Sequence, residues 1–491
     1  MKTFKQKSLY AALAGVTALG VTSAAQAVNV NPDGLGQVLI YPYYTVRDKT
    51  AGNPFSSLLT VVNSTASAKA VKVRFIEGKN SQEVLDFNLF LSAHDVWTAA
   101  ILPATDGGGG AGVGTFDKSC TIPSNLSHDA ANLTSFVNVL LDDAVGDDSL
   151  DRTKEGYAEI IEMGTIIAGT KTETAVTHVA GVPPCTPSAL TDAVVPTALT
   201  TPTGGLFGDM TLINVNAGED YTEDAVALDN FRNLGHYDTP GDIKPDLRDV
   251  NPPTSVVVSG NNVYQSTFLN GGDSQTVDAI SALFMHDHVY NTFILDSGTK
   301  SGTDWVLTFP TKRYYYTFGP KLAGVQYLFQ RNIVANVGGC DDVLATVYDR
   351  EEASATPQVG FSPSRPGKAN TLCWEANVLT FNASQVLGST NNRNIVTTYQ
   401  NGWADLNFTL TSAATSDGNT PHRLINFNTT ITSIGGGVSS GTTVSYIGLP
   451  VIGFAVESYT NGTLPNGVLS NYGGNFVHKG TRSIVQGFLA P

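Results

Sequence analysis

The sequence contains few charged residues. Only 14% of its 491 residues are Asp, Glu, Lys or Arg, against about 25% in an ordinary soluble domain. Acidic residues outnumber basic ones by 43 to 28, which gives a formal net charge of −15. Nucleic-acid binding needs clustered Lys and Arg to neutralise phosphates, so this balance argues against a nucleic-acid partner. Hydrophobic residues still make up 41% of the chain, which is enough for a sizeable core and excludes a disordered chain.

Long apolar runs are absent beyond the N-terminal region, so no transmembrane helix is expected once residues 1–27 are removed. Those 27 residues have the order of a secretory signal peptide. Three lysines come first, an apolar run from Leu9 to Val21 follows, and Ala25-Gln26-Ala27 has the form of a cleavage site. The sequence therefore predicts an exported protein, either extracellular or at the cell surface, with the periplasm as the alternative.

Cysteine is scarce, and the four residues are Cys120, Cys185, Cys340 and Cys373. An even number in an exported chain predicts two disulfides. Three pairings are open from sequence, and proximity along the chain favours Cys120–Cys185 with Cys340–Cys373. No Cys-x-x-Cys spacing is present, which argues against a zinc site.

Alternating side chains indicate β-strands near the mature N-terminus. Val71, Val73 and Phe75 alternate with Lys72 and Arg74, and a second alternating run covers 85–91. The residues between them have the composition of a turn, which predicts a hairpin of half-buried strands. Further strands are expected at 38–44, 58–63 and 96–102.

These patterns predict a mainly β protein made of tandem immunoglobulin-like β-sandwich domains, with long loops and one or few short helices. The first sandwich is expected over 28–105, a loop-rich β segment with a disulfide over 106–254, and a larger β-sandwich over 255–491. One helix is expected over 274–288, where Ser274 is a candidate cap and the apolar residues suit one helical face.

Three segments resemble a group of exported proteobacterial proteins. They are Gly36-Gln37-Val38-Leu39-Ile40-Tyr41-Pro42-Tyr43-Tyr44, Val71-Lys72-Val73-Arg74-Phe75-Ile76-Glu77-Gly78 and Thr303-Asp304-Trp305-Val306-Leu307-Thr308-Phe309-Pro310-Thr311-Lys312-Arg313. The group has no assigned activity, so the resemblance implies a bacterial envelope context and supplies no catalytic residues.

Five carboxylates within ten residues form the main candidate metal site. They are Asp142, Asp143, Asp147, Asp148 and Asp151. Calcium prefers several hard oxygen ligands in a loop, and extracellular calcium sites can be weak. The spacing is not that of an EF-hand, and a solvated acidic loop is the alternative. No other cofactor is expected.

No catalytic residue is predicted. The Gly-x-Ser-x-Gly pattern at 437–441 lacks the following helix that a nucleophile elbow needs. His286 and His288 could share a metal only if the chain were extended there. The tyrosine clusters at 41–44 and 314–316 could stack on sugars if their rings were exposed, although packing in the core is the ordinary role.

The resulting functional prediction is a secreted or cell-surface protein of structural or adhesion type, without catalytic activity. Its expected partners are other copies of itself or extracellular polymers of the cell envelope. Two alternatives stay open: an outer-membrane β-barrel, and a secreted hydrolase acting on polysaccharides. The second would use paired carboxylates such as Glu159 and Glu162, although an extended strand would place them on opposite faces.

Overall fold

The computed structural model describes residues 26–104, 109–127, 132–141, 147–268, 273–315, 328–329, 339–356, 370–409, 422–434, 436–463, 467 and 469–487. The predicted signal peptide lies almost entirely outside them. The described chain is mainly β, as the sequence predicts, and most of its strands fall into five larger sheets.

Sheets 1 and 2 are built from strands within residues 29–229. In spatial order, the strands of sheet 1 are Asn29–Val30, Val226–Asp229, Val38–Thr45, Glu155–Ile166, Lys69–Glu77, Glu83–Leu91 and Cys120–Ile122, with Leu199–Thr200 also paired to Glu155–Ile166. Those of sheet 2 are Thr134–Ser135, Ala111–Gly114, Val96–Pro103, Ser56–Asn63, Leu206–Asn214 and Glu219–Asp224. The boundary predicted at residue 105 therefore falls inside both sheets, and the likeness to an immunoglobulin domain stays a prediction.

Sheets 3, 4 and 5 take all their strands from residue 254 onward. Sheet 3 contains Thr254–Ser259, Asn262–Thr267, Arg423–Ser433, Val438–Ile447 and Ser483–Gln486. Sheet 4 contains Ser354–Ala355, Asp341–Asp349, Asn401–Asn407, His288–Ile294 and Lys479–Thr481, with Asn370–Leu372 also paired to Asp341–Asp349. Sheet 5 contains Asn392–Ile395, Ala376–Phe381, Gly302–Thr308, Ile452–Thr463 and Leu469–Val477.

The remaining elements are short. Two-stranded sheets join Asp48–Thr50 to Asn53–Pro54 and Met285–His286 to Leu449–Pro450. The α-helices are Lys171–Val176 and Asp273–Phe284. The 3-10 helices are Leu150–Lys154, Pro187–Ala189, Val195–Ala198, Leu247–Asp249 and Lys312–Tyr315.

The helix Asp273–Phe284 confirms the helix expected from 274, but it ends earlier than predicted. Val277, Ile280 and Leu283 are buried at helical spacing and pack into the core beneath sheets 3 to 5. The chain turns extended at Met285, because Met285 and His286 pair with a strand instead of continuing the helix. The predicted last turn is therefore strand.

The predicted hairpin is present, since Lys69–Glu77 pairs antiparallel with Glu83–Leu91. Its expected half-burial is wrong, because Lys69–Glu77 is buried along both faces. Val73 and Phe75 pack in the core shared with sheet 2. Ile76, on the other face, packs in the core formed with residues beyond 246. Lys72 and Arg74 share this covered face with Ile76, so their charges need buried partners.

Those partners are carboxylates on neighbouring strands. Arg74 donates to Glu83 at 2.6 Å and to Glu159 at 2.7 Å, and Lys72 pairs with Asp86. Burial raises the pKa of Glu159 to about 7, although the Arg74 charge opposes this shift. The charged face of sheet 1 is thus an internal polar layer.

Candidate ligand-binding face

Sheet 4 has one buried face and one open face, as the alternation of buried and more exposed residues along its strands shows. On Asp341–Asp349, Val343, Ala345 and Val347 are buried in the core. Tyr348, between two inward positions, lies on the outer face and is only partly buried. The central strand behaves in the same way, with Ala404 buried and Trp403 exposed by 39%.

Register brings the outer aromatic side chains together. Trp403 lies opposite Tyr348 on one side and opposite Thr292 on the other. The Tyr348 and Trp403 rings stack with centroids 4.2 Å apart and planes 9° from parallel. Tyr290 meets Trp403 edge-on at 6.0 Å, and His288 stacks on Tyr290 at 5.9 Å. We call His288, Tyr290, Tyr348 and Trp403 the aromatic face.

Polar groups hold this arrangement in place. His288 Nδ1 lies 2.8 Å from Asp405 Oδ1, which ties its ring to the central strand. Asp349 Oδ1 accepts hydrogen bonds from the backbone N–H groups of Glu351 and Ala353, and so fixes the turn after Tyr348. The rings therefore project from paired strands and a bonded turn, so their spacing is set before any ligand binds.

One end of the aromatic face opens into a cavity of about 680 Å³. Trp403 and Tyr348 form part of its wall, and Asp349, Glu352 and Asn401 supply polar groups. Glu457 also lines it, and its carboxylate accepts hydrogen bonds from Thr292 at 3.0 Å and from Tyr459 at 2.6 Å. The cavity combines stacked rings with hydrogen-bonding groups, which suits a ligand with apolar faces and polar edges.

The tyrosines singled out by sequence lie elsewhere. Tyr41, Tyr43 and Tyr44 are all fully buried in the core between sheets 1 and 2. Tyr314 and Tyr315 pack against the other core, and Tyr316 lies outside the described residues. Tyr348 and Trp403, whose rings are more exposed, could have been found from the sequence. Each is an aromatic residue among the polar positions of a strand whose alternate residues are apolar.

The described carboxylates of the predicted calcium loop have basic partners. Asp147 pairs with Lys79 at 2.6 Å, and Asp151 pairs with Arg47 and with Lys154. Partial burial raises the pKa of Asp147, but hydrogen bonds from Lys79 and Ser149 outweigh it and lower the pKa to about 2.

Of the other three carboxylate residues in that loop, only Asp148 belongs to the described residues. The backbone oxygen of Asp148 accepts a hydrogen bond from Asn138, while Asp142 and Asp143 lie outside the described residues. Within the described residues, no group of three or more His, Cys, Asp or Glu side chains could hold a metal ion. The calcium site stays a prediction.

His286 and His288 do not act together. His286 is bonded through Nδ1 to the Phe284 carbonyl, whereas His288 faces Asp405 on the aromatic face. Burial lowers the pKa of His286 to about 4. Each ring thus has its own structural partner.

The carboxylates considered for hydrolysis are also engaged. Glu159 pairs with Arg74, and Glu162 pairs with Lys69 at 2.8 Å. Both glutamates are almost completely buried in sheet 1. Neither is placed to flank a substrate.

A serine, a histidine and an aspartate that the sequence did not single out lie close together, and the first two, Ser92 and His178, line a cavity of about 260 Å³. Ser92 Oγ lies 3.0 Å from His178 Nδ1, and Asp95 Oδ2 lies 3.6 Å from the same nitrogen. In hydrolytic triads the carboxylate bonds the ring nitrogen opposite the serine. Asp95 instead accepts from the Ser92 backbone N–H at 2.9 Å, so this group stabilises a turn.

The four cysteines form the two favoured disulfides, Cys120–Cys185 and Cys340–Cys373. No helix in the described part of the chain is long and apolar enough to cross a membrane. No protein-family model, no curated protein and no solved structure matches this chain.

Proposed function

We propose that this chain is an exported, non-catalytic binding protein of adhesion type, which holds a saccharide chain on the aromatic face of sheet 4. The observation that carries the proposal is the stack of Tyr348 on Trp403, with Trp403 exposed by 39%. Pyranose rings have apolar C–H faces that pack on aromatic rings and hydroxyl edges that need polar partners.

The surroundings of the stack support a saccharide over a purely apolar ligand. Glu352 and Asn401 line the adjoining cavity beside the rings, and both can bond hydroxyl groups. Exposed, contiguous aromatic surface on a protein commonly marks a binding site. The two disulfides and the acidic composition suit the exterior of a cell, where envelope polymers are the available partners.

The test is binding of the purified protein to insoluble and soluble polysaccharides, with and without Trp403→Ala and Tyr348→Ala. Phe427→Ala is the matched control, because Phe427 is 55% exposed on a different sheet. We expect wild type and the Phe427 variant to bind at least one polysaccharide, and each aromatic-face variant to bind roughly tenfold or more weakly.

Equal binding by wild type and Trp403→Ala would refute the assignment of the aromatic face. Release of reducing ends from the bound polymer would refute the non-catalytic part of the proposal. Protease treatment of intact cells tests location: cleavage supports a surface protein, and protection with release on osmotic shock supports the periplasm.

A further inference from the structure

Two exposed aromatic side chains outside the aromatic face lie on the last strand of sheet 5. Tyr472 is 58% exposed and Phe476 is 44% exposed. Side chains alternate along a strand, so Tyr472, Gly474 and Phe476 point to the same face of the sheet. Tyr459, which is partly exposed, lies directly opposite Tyr472 on the neighbouring strand and therefore shares this face. We call Tyr459, Tyr472 and Phe476 the second aromatic group.

The other face of the same strand is anchored to sheet 2. Asn471 Nδ2 donates a hydrogen bond to the backbone carbonyl of Ala217 at 2.6 Å, and Asn475 Nδ2 donates to that of Thr222 at 2.6 Å. Both carbonyls belong to the last hairpin of sheet 2. The two asparagines therefore hold the strand from one side, and its aromatic side chains project from the opposite side.

Gly474 lets the Phe476 ring lean back over the strand. A β-carbon added at Gly474 would lie only 3.0 Å from Phe476 Cε2, so the ring occupies the space above this glycine. The same position lies 3.8 Å from the β-carbon of Glu457, which is opposite Gly474 on the neighbouring strand. The ring is therefore placed beside Glu457, and the missing side chain at Gly474 makes this placement possible.

Glu457 links the second aromatic group to the cavity beside Trp403. One of its carboxylate oxygens accepts a hydrogen bond from Thr292 at 3.0 Å, and the other accepts one from Tyr459 at 2.6 Å. Thr292 lies opposite Trp403 in sheet 4, and Glu457 itself lines the cavity. The two sets of rings therefore border one surface, which runs from sheet 4 past the cavity to sheet 5.

The cavity at the middle of this surface carries more acidic than basic groups. Asp349, Glu352 and Glu457 line it, whereas Arg350 is the one basic residue among its described lining. Arg350 is 70% exposed and lies 3.8 Å from Glu351. A cleft with an excess of negative charge repels anionic polymers. A chain of uronic acids is therefore disfavoured, and a chain of uncharged sugars is favoured.

We propose that one extended, uncharged glucan chain of the cellulose type lies across both aromatic groups, from Trp403 past the cavity to Tyr472 and Phe476. This inference rests on the proposed function and names the polymer that the site takes. The hydroxyl groups and linkages of such a chain are equatorial, so both faces of each sugar carry C–H groups that can pack on aromatic rings. A long chain reaches both aromatic groups at once, whereas a disaccharide reaches only one of them.

The first experiment is calorimetric titration of the purified full chain with cellobiose, cellohexaose and hexagalacturonate. We expect cellohexaose to bind about tenfold or more tightly than cellobiose, because its second contact is intramolecular once the first has formed. Hexagalacturonate has the same length but is anionic, and we expect it to bind about tenfold or more weakly than cellohexaose. Cellohexaose binding no tighter than cellobiose would overturn the extended site. Hexagalacturonate binding as tight as cellohexaose would overturn the choice of an uncharged chain.

Variants of the second aromatic group test its part in binding. Tyr472→Ala and Phe476→Ala should each weaken cellohexaose binding roughly tenfold. Gly474→Ala should weaken it as well, although no ring is removed, because the new β-carbon displaces the Phe476 ring. Phe207→Ala is the matched control, since Phe207 is 41% exposed on sheet 2, and its cellohexaose affinity should equal that of wild type.

Failure of this inference and failure of the proposed function give different results. Polysaccharide binding that is lost in Trp403→Ala but unchanged in both Tyr472→Ala and Phe476→Ala would overturn only the extended site. Binding of another polymer through Trp403, with no binding of cellohexaose at about 1 mM, would overturn only the choice of glucan. Absence of binding to every polysaccharide would refute both proposals.

Discussion

Arg152 forms a two-point ion pair with Glu77 that is completely buried. Arg152 Nε lies 2.8 Å from one carboxylate oxygen and Nη2 lies 2.9 Å from the other, and neither side chain is exposed. The Glu77 carboxylate also accepts the backbone N–H groups of Lys79, Asn80 and Gln82. Glu77 ends a strand of the predicted first domain, and Arg152 belongs to the segment predicted to follow it. The pair therefore joins two parts of the chain that the sequence pattern assigned to different domains.

Loss of this pair should be strongly destabilising. Arg152→Met leaves the Glu77 charge buried without its cation, and we expect the free energy of unfolding to fall by about 3–5 kcal/mol. Urea denaturation measures the change. Arg350→Met is the control, because the Arg350 side chain is 70% exposed, and its cost should stay within about 0.5 kcal/mol. A loss below about 1 kcal/mol in Arg152→Met would contradict this expectation.

The two tryptophans Trp305 and Trp403 should separate stability from binding. Trp305 is fully buried and donates its indole N–H to the Thr292 carbonyl at 3.0 Å, so Trp305→Ala should cost about 3–5 kcal/mol. Trp403→Ala should cost about 1 kcal/mol or less, because Trp403 is partly solvated already. Thermal and urea unfolding of the two variants test this contrast, which similar losses would disprove.

Asp278 should make stability depend on pH. Burial raises its pKa from 3.8 to about 7, although the hydrogen bond from Tyr315 opposes the shift. The folded protein therefore holds a proton that the unfolded chain releases between about pH 4 and pH 7. The stabilisation that this proton gives the folded protein is complete below the pKa of Asp278 in the unfolded chain. It is lost as the pH rises through the pKa of Asp278 in the folded protein.

Asp278→Asn removes the titrating group and keeps a similar shape. Relative to that variant, wild type should lose up to about 1.4 kcal/mol of stability per pH unit between pH 4 and pH 7. Urea denaturation at pH 4, 5.5 and 7 gives the comparison. Parallel stability curves for the two proteins would show that Asp278 does not titrate in this way.

The Cys120–Cys185 disulfide should stabilise the fold more than a local contact does, because it closes a loop that spans 65 residues of sequence. In the chain-entropy account, removing a link of this length costs about 4 kcal/mol. The double variant Cys120→Ala/Cys185→Ala should therefore unfold at markedly lower urea concentration than wild type. Peptide mapping without reduction checks the pairing first, and a Cys120–Cys340 peptide would contradict the connectivity.

Local pattern predicted much of the secondary structure. The alternation around Val73 and Phe75 located a strand and its hairpin partner, because side chains on successive strand residues point to opposite faces. The cysteine spacing favoured the pairs that form. The helix was also located, but not its end, because Met285 and His286 are held by a strand more than 150 residues away in sequence.

The sequence by itself predicted a core from its composition, a mainly β chain from its alternating side chains, two disulfides from its four cysteines and export from its N-terminal segment. Tertiary structure alone decided which faces are covered. It buried Arg74 with Glu159 and left Trp403 beside Tyr348 in the open. Alternation specifies only that neighbouring side chains face opposite ways. Which of the two faces meets solvent depends on the sheets that pack against it, and those contacts join residues far apart in sequence.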